Sequence, residues 1–184
     1  MNREQLAHVL RSAAYIAQDG DILVMGSQSI LGSFSEDELP DEAIGSIEVD
    51  VAFFDDADEG KADAVDGAIG EGSMFHESHG IYGQGVSVST AVLPAGWRER
   101  LVPYDRADAS PGRGKCLDPH DLVVAKLVAG RDKDRIFAQA LVDAGLIDCD
   151  VLRHRASTLE TVEGVRRRVA QTVTRIDRSR KPRT

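Results

Sequence analysis

The sequence predicts an α+β protein, a small mixed β-sheet flanked by helices and followed by a helical C-terminal part. Three observations carry that expectation. A short, branched apolar run, Ile22-Leu23-Val24-Met25, stops at Gly26-Ser27 and gives way to a helical pattern. Residues 47–54 alternate, with Ile47, Val49, Val51 and Phe53 on one side and Glu48 and Asp50 on the other. From Asp118 onwards the apolar spacing is helical.

The elements follow in order. Leu6, Val9, Leu10, Ala13, Ala14 and Ala17 have the spacing of an amphipathic helix, with Asn2 and Gln5 as its cap and Gly20 beyond its end. The buried strand at 22–25 comes next, then a short helix over Gln28 to Phe34. After a polar connection through Pro40, the strand at 47–54 leads to a turn at Asp55, Asp56 and Asp58 and a helix over Ala62 to Ile69. Residues 71–85 are expected as a loop, Val86 to Leu93 as a third strand ended by Pro94, and Arg100 to Tyr104 as a fourth. Residues 105–115 are expected as a polar loop.

Asp118-Pro119 supplies an acidic cap and a first-turn proline for a helix that runs to Gly130. Another helix covers Lys133 to Ala144 and is closed by Gly145. Ser157 with Glu160 is expected as the capping box of a last, long helix. Its stripe of Leu159, Val162, Val165, Val169, Val173 and Ile176 packs on the domain or on a second subunit, with the chain frayed after Arg178. This divides the protein into a sheet-bearing domain over residues 1–145 and a helical extension with a basic tail over 146–184.

Composition narrows the classes. A chain of 184 residues suits one domain with an extension, and 42% hydrophobic and 29% charged residues are ordinary for a globular protein. No apolar run approaches the roughly 20 residues that span a bilayer, and the opening Asn2-Arg3-Glu4 does not resemble a secretory leader. Cys116 and Cys149 form no C-x-x-C pair and are expected as reduced core thiols, which points to the cytoplasm.

The net charge of −9 is unevenly spread. Residues 1–150 hold 28 acidic and 12 basic side chains, a balance of −16; residues 151–184 hold 3 and 10, a balance of +7. Such asymmetry marks a nucleic-acid contact or an acidic partner, or else a solvated basic helix.

Three segments can carry chemistry. Gly26-Ser27 closes a buried strand and opens a helix, where unpaired N–H groups suit a phosphate, although many helices begin this way with no ligand. Glu48 and Asp50 lie two apart on one strand face, so their carboxylates converge. A Mg²⁺ ion held with substrate phosphates would relieve their repulsion; a solvated sheet face would do so as well. Lys126, on an otherwise apolar helix, either points inward as a point charge for a triphosphate, with Arg131 and Lys133 adding charge, or belongs to an ordinary helix end held by ion pairs, the more common meaning of such a pattern. Asp134 either braces one of these cations or reaches the metal.

Together, Gly26-Ser27-Gln28-Ser29-Ile30-Leu31-Gly32, Ser46-Ile47-Glu48-Val49-Asp50 and the segment from Lys126 to Asp134 resemble the successive motifs of small prokaryotic nucleotidyltransferase-like proteins. These are relatives of the AbiEii and MenT toxins within the polymerase-beta-like superfamily, and the resemblance covers roughly residues 1–145. It implies a sheet of the nucleotidyltransferase type. It also implies that Gly26 and Ser27 hold nucleotide phosphates, that Glu48 and Asp50 hold Mg²⁺, and that Lys126, assisted by Arg131, holds the triphosphate. Asp134 stands as the later motif acid, and Ser46 as the small hydroxyl before the acids.

The reaction implied is attack by an acceptor hydroxyl on the α-phosphate of a nucleoside triphosphate, releasing pyrophosphate. Toxin relatives direct it at the 3′ end of tRNA and are restrained by an antitoxin. Two positions depart from the pattern: Glu48 stands where Asp is common, and the expected third strand carries no acid. A catalytically degenerate binding or regulatory module of the same fold is the alternative they imply.

Other residues are assigned elsewhere. His76 and His79 form H-x-x-H without a nearby third ligand, so a structural role or a substrate contact is preferred to zinc. Trp97 is expected to pack, with base stacking as its second role. Neither Ser27 nor Cys116 has a recognisable hydrolase triad around it.

Overall fold

The computed structural model describes residues 1–104 and 106–180. It is an α+β fold built on a five-stranded mixed sheet in the order β3-β2-β1-β5-β4. The strands are β1 (Asp21–Val24), β2 (Glu48–Phe53), β3 (Tyr82–Gly85), β4 (Val102–Tyr104) and β5 (Arg113–Cys116). β1 runs antiparallel to β2, with Val24 opposite Val51, and parallel to β5, with Val24 opposite Cys116. β2 and β3 are parallel, with Glu48 opposite Tyr82 and Asp50 opposite Gln84.

One sheet face is covered by α1 (Arg3–Ala17) and α3 (Gly60–Ile69). The cap on α1 is the expected one: Asn2 accepts from Gln5 N–H, and the Gln5 side chain accepts from Asn2 N–H. Short helices α2 (Asp41–Ile44) and α4 (Met74–His79) flank the sheet. Four helices complete the chain: α5 (Pro119–Ala129), α6 (Asp132–Asp143), α7 (Cys149–Ser157) and α8 (Glu163–Arg178). The fully buried Leu6, Leu10, Ile22, Leu23, Leu122, Leu141 and Leu152 belong to one continuous core that links sheet and helices.

Two strands differ from the sequence expectation. The third strand is Tyr82–Gly85, inside the expected loop, while Val86 to Leu93 holds only a 3-10 turn at Val88–Thr90. Glycine is depleted in strands, so Tyr82-Gly83-Gln84-Gly85 gives little strand signal. Here the glycines are a packing device. A Cβ at Gly85 would lie 1.9 Å from the Ala62 carbonyl oxygen, and one at Gly83 would lie 2.9 Å from Ile69 Cδ1. Only bare backbone lets α3 sit this close.

The expected polar loop at 105–115 ends in all but the last residue of β5, for the same reason. Gly114 passes 2.8 Å, measured from its virtual Cβ, from Leu10 Cδ1 of α1. The expected loop at 71–85 also contains α4, capped by Ser73. Residues 28–34 form a 3-10 turn over Ser27–Gly32 rather than an α-helix.

The Ser157–Glu160 capping box does not form. Ser157 ends α7 and donates its hydroxyl to the His154 carbonyl, and Val162 precedes α8. The α8 stripe packs within the chain: Val169, Val173 and Ile176 are buried, and α8 contacts α5, α6 and α7. Val162 is exposed. Of the tail expected to fray, residues 181–184 lie outside the described residues. Both cysteines are free and buried, and burial pushes the Cys116 thiol up to about 12 and the Cys149 thiol up to about 11. Among the described residues no helix is long and apolar enough to cross a membrane.

Candidate active site

A cleft of roughly 570 Å³ opens where β1 and β2 meet the helical layer. Gly26, Ser27, Ser46, Glu48, Asp50, Lys126 and Arg131 all line it, so residues distant in sequence converge on one space. Met25 and Gly26 form the floor at the end of β1. Met25 N–H donates to the Asp50 carbonyl at 2.8 Å, which fixes the two strands in register there. Gly26 has φ +60°, and a Cβ built on it would lie 1.7 Å from Asp50 Oδ2. Glycine is therefore required twice over, by conformation and by the carboxylate that fills its side-chain space.

The 3-10 turn after Gly26 is pinned from below. Gln28, fully buried, donates its amide to the Ser46 carbonyl at 2.9 Å. Leu117 N–H donates to Ser29 Oγ at 2.6 Å, tying the turn to the end of β5. Ser46 is bound into the approach to β2, because its Oγ accepts from Glu48 N–H at 3.2 Å.

Glu48 and Asp50 are half-buried on the cleft side of β2. Burial and the neighbouring Glu48 charge raise the Asp50 carboxyl above its ordinary value, against the pull of Lys126, Arg131 and Lys133. Among the described residues no cation forms an ion pair with Glu48 or Asp50, and the pull of the more distant cations does not overcome burial and repulsion at Asp50, the condition under which a divalent cation is taken up. Among the described residues no group of three or more His, Cys, Asp or Glu side chains is arranged to hold a metal. Two carboxylates facing open cleft fit Mg²⁺ when substrate phosphates complete its oxygen shell. Tyr82, opposite Glu48 on β3, has its phenol raised by burial and by the Glu48 charge.

Facing the acids is a cationic wall. Lys126 is 8% exposed in the last turn of α5. Its Nζ donates to Ser27 Oγ at 2.8 Å, stands 3.5 Å from Asp134 Oδ1 and lies 4.8 Å over the Phe137 ring. Burial lowers its affinity for a proton, and Asp134 works the other way. Asp134 is fully buried at the start of α6. Its Oδ2 accepts from Arg131 N–H at 3.2 Å and Nε at 2.8 Å, and its Oδ1 accepts from Arg131 Nη2 at 3.1 Å. Burial alone would raise the Asp134 carboxyl, but the Arg131 hydrogen bonds and the Lys126 and Arg131 charges take it below the ordinary value.

Asp134 therefore stands apart from the other expected site residues. It does not line the cleft, and both its oxygens are engaged by cations. Its geometry is that of a brace aiming Lys126 and Arg131. Phe137 lines the cleft, and Tyr82 borders it through Glu48; neither is marked as a site residue by the sequence. Phe137 lies three residues after Asp134 and follows from the helical period; Tyr82 carries no signal because the glycines around it hide its strand.

The discounted residues lie away from this space. His79 packs 4.6 Å, ring to ring, from both His8 and Phe75, and His76 lies 4.8 Å from the Tyr82 ring. Trp97 does not line the cleft but a neighbouring concavity that shares Ala91 and Val92 with it, and the Arg98 guanidinium lies 4.5 Å over its ring.

The model of the family described as "Nucleotidyltransferase of unknown function (DUF6036)" matches residues 4–181. The chain belongs to this family. The match spans the sheet and all eight helices, so DUF6036 takes in the helical C-terminal part together with the cleft. No curated protein and no solved structure matches the chain. Membership of DUF6036 supports a nucleotidyltransferase identity for the chain at the level of the family.

Proposed function

We propose that the protein transfers a nucleotide from a nucleoside triphosphate to an acceptor hydroxyl in a Mg²⁺-dependent reaction. One observation carries this reading: Glu48 and Asp50 converge on the Gly26 turn while Lys126, joined to Ser27, faces them across one cleft. In this reading Ser27 and the turn receive the phosphates, and Lys126, Arg131 and Lys133 balance their charge. Glu48 and Asp50 hold Mg²⁺, which when bound supplies charge neutralisation at the α-phosphate. The acceptor hydroxyl oxygen forms a bond to the α-phosphorus and gives up its proton to water in the open cleft, the bond from the α-phosphorus to the bridging β-phosphate oxygen breaks, and pyrophosphate leaves along the cationic wall.

The acceptor placed first is the 3′ end of a tRNA, and the biological setting is that of a toxin restrained by an antitoxin. Both are carried by the motif resemblance at Gly26-Ser27, Glu48/Asp50 and Lys126–Asp134. Incubation with Mg²⁺, each labelled nucleoside triphosphate and total RNA tests the reading. Transfer lost in Asp50→Ala supports it; absence of transfer with every nucleotide, or transfer unaffected by Asp50→Ala, rejects it.

A second reading, a degenerate nucleotide-binding module, is favoured by the lack of a third ligand beside Glu48 and Asp50 among the described residues. Calorimetry separates the two, since Mg²⁺-independent nucleotide binding supports the module and Mg²⁺-dependent binding counts against it.

A further inference from the structure

The sign of the molecule's charge reverses between its two parts, and α8 concentrates the reversal. Arg167, Arg168, Gln171, Arg175 and Arg178 are all exposed, and their spacing of three, four and seven places them on one helical face. The opposite face is the buried stripe of Val169, Val173 and Ile176. Of the acids of α8, Asp177 pairs with Arg153 of α7, and Glu163, in the first turn, pairs with Arg166 at 3.1 Å and borders the face at its N-terminal end, 4.0 Å from Arg167. From Arg167 to Arg178 the face extends about 16 Å at 1.5 Å per residue.

This face is continuous with the cleft. Arg168 Nη2 donates to the Val128 carbonyl at 2.7 Å, and Arg135 Nη1 donates to the Gly130 carbonyl at 2.7 Å. Both arginines crown the C-terminal end of α5, where Val128 and Ala129 line the cleft beside Arg131 and Lys133. A basic path thus leads from α8 across the end of α5 to the rim of the nucleotide site.

We infer that the arginine face of α8 is a docking surface for the phosphate backbone of a nucleic acid, which it guides towards the cleft. The inference rests on the nucleotidyl-transfer reading only for what the cleft does once the strand arrives. A nucleic acid strand presents a phosphate about every 3.4 Å of duplex axis, so a 16 Å face meets several of them. Arginine is suited to this because its planar fork pairs with two phosphate oxygens at once.

The rest of the chain repels the same ligand. Residues 1–150 carry a balance of −16 and residues 151–184 one of +7, so a polyanion is steered to the C-terminal helix. A protein partner fits less well. Interfaces are anchored by aromatic or other large apolar side chains, whereas the exposed large apolar residues Tyr15, Ile47, Met74, Ile136 and Val162 all lie off this arginine face.

The test uses full-length protein and a fluorescent RNA hairpin with a single-stranded 3′ overhang, with anisotropy read across a salt series. Log affinity is expected to fall linearly with log salt. The triple variant Arg167→Gln/Arg175→Gln/Arg178→Gln should lose at least tenfold in affinity and flatten the slope by about two to three. These side chains are exposed, so the variant keeps its circular dichroism spectrum and Tm. Nucleotide binding, measured separately by calorimetry with each nucleoside triphosphate, should be unchanged.

Equal RNA affinity in wild type and variant overturns the inference, as does a flat salt response. Arginine-dependent binding of polyglutamate in preference to RNA also overturns it and assigns the face to an acidic protein. The two readings fail separately. RNA that binds through α8 to a protein inert towards nucleotides rejects the transfer reaction alone, and nucleotide transfer by a protein whose RNA affinity is unaffected by the arginine substitutions rejects the docking surface alone.

Discussion

Gly26 and Asp50 are a fitted pair: the carboxylate of Asp50 occupies the volume in which any other residue at 26 would place its Cβ, 1.7 Å from Oδ2. The turn and the acid therefore cannot vary independently, and the shape of the cleft depends on both.

Gly26→Ala tests that relationship. A Cβ at φ +60° is strained, and the contact forces the Asp50 carboxylate out of its position. The variant should lose about 1–3 kcal/mol of stability in chemical denaturation and lose nucleotide transfer. Gly67→Ala is the matched control. Nothing lies within 4 Å of its Cβ in α3, so it should gain about 0.5–1 kcal/mol and leave transfer intact.

Asp50→Asn separates stability from function. The folded Asp50 carboxyl is raised by burial and by Glu48, so the folded state holds this proton more tightly than the unfolded chain. Stability from this group is present below the unfolded value near 3.9 and is lost as pH rises through the raised folded value. At neutral pH, without Mg²⁺, Asn removes a repelled charge and should raise Tm, with about 2–4 °C corresponding to 1 kcal/mol. The wild type should approach the variant's Tm as the pH is lowered below that window. A Tm for Asp50→Asn below wild type at neutral pH contradicts the assigned cause. Transfer should be abolished in the variant.

Legibility in the sequence followed the kind of signal each element carries. β1, β2 and α5 announce themselves through apolar runs and alternation, so Gly26, Ser27, Glu48, Asp50 and Lys126 could be expected in one place, and they are. β3 and β5 were illegible because their information lies in glycines at 83, 85 and 114, which serve close approach to α1 and α3 and carry no propensity signal. The placement of Asp134 was legible as a helix start but not as a brace. Both roles need an acid three residues after Arg131, and only the three-dimensional position of Lys126 distinguishes them.

Asp134→Asn should act through Lys126. Removing the fully buried carboxylate leaves an ammonium that is 8% exposed without its counter-charge. Breaking a buried pair from one side costs about 3–5 kcal/mol, and the 59% exposed Arg131 side chain relaxes into water and contributes little of that. The same variant should raise KM for the nucleoside triphosphate more than Arg131→Gln does, because Lys126 is joined directly to Ser27. An unchanged KM in a folded Asp134→Asn protein removes the bracing role.

A second buried acid provides the contrast. Asp121, fully buried in the first turn of α5, accepts from Arg100 Nε at 2.8 Å and Nη2 at 3.1 Å, and Arg155 Nε of α7 stands 3.2 Å from its Oδ1. Burial raises its carboxyl, with the two guanidinium charges opposing, so the triad is held at a desolvation penalty. Asp121→Asn should cost about 3–5 kcal/mol, comparable to Asp134→Asn, because two partly buried arginines lose their shared partner. Asp121 does not line the cleft, so the folded fraction should keep its KM for nucleotide. Replacing Arg100, Asp121 and Arg155 together by Met, Leu and Met should recover most of the stability, since the paired charges then leave together. If Asp121→Asn changes KM as strongly as Asp134→Asn, the triad reaches the site through α5, and the separation between a scaffold acid and a site-bracing acid fails.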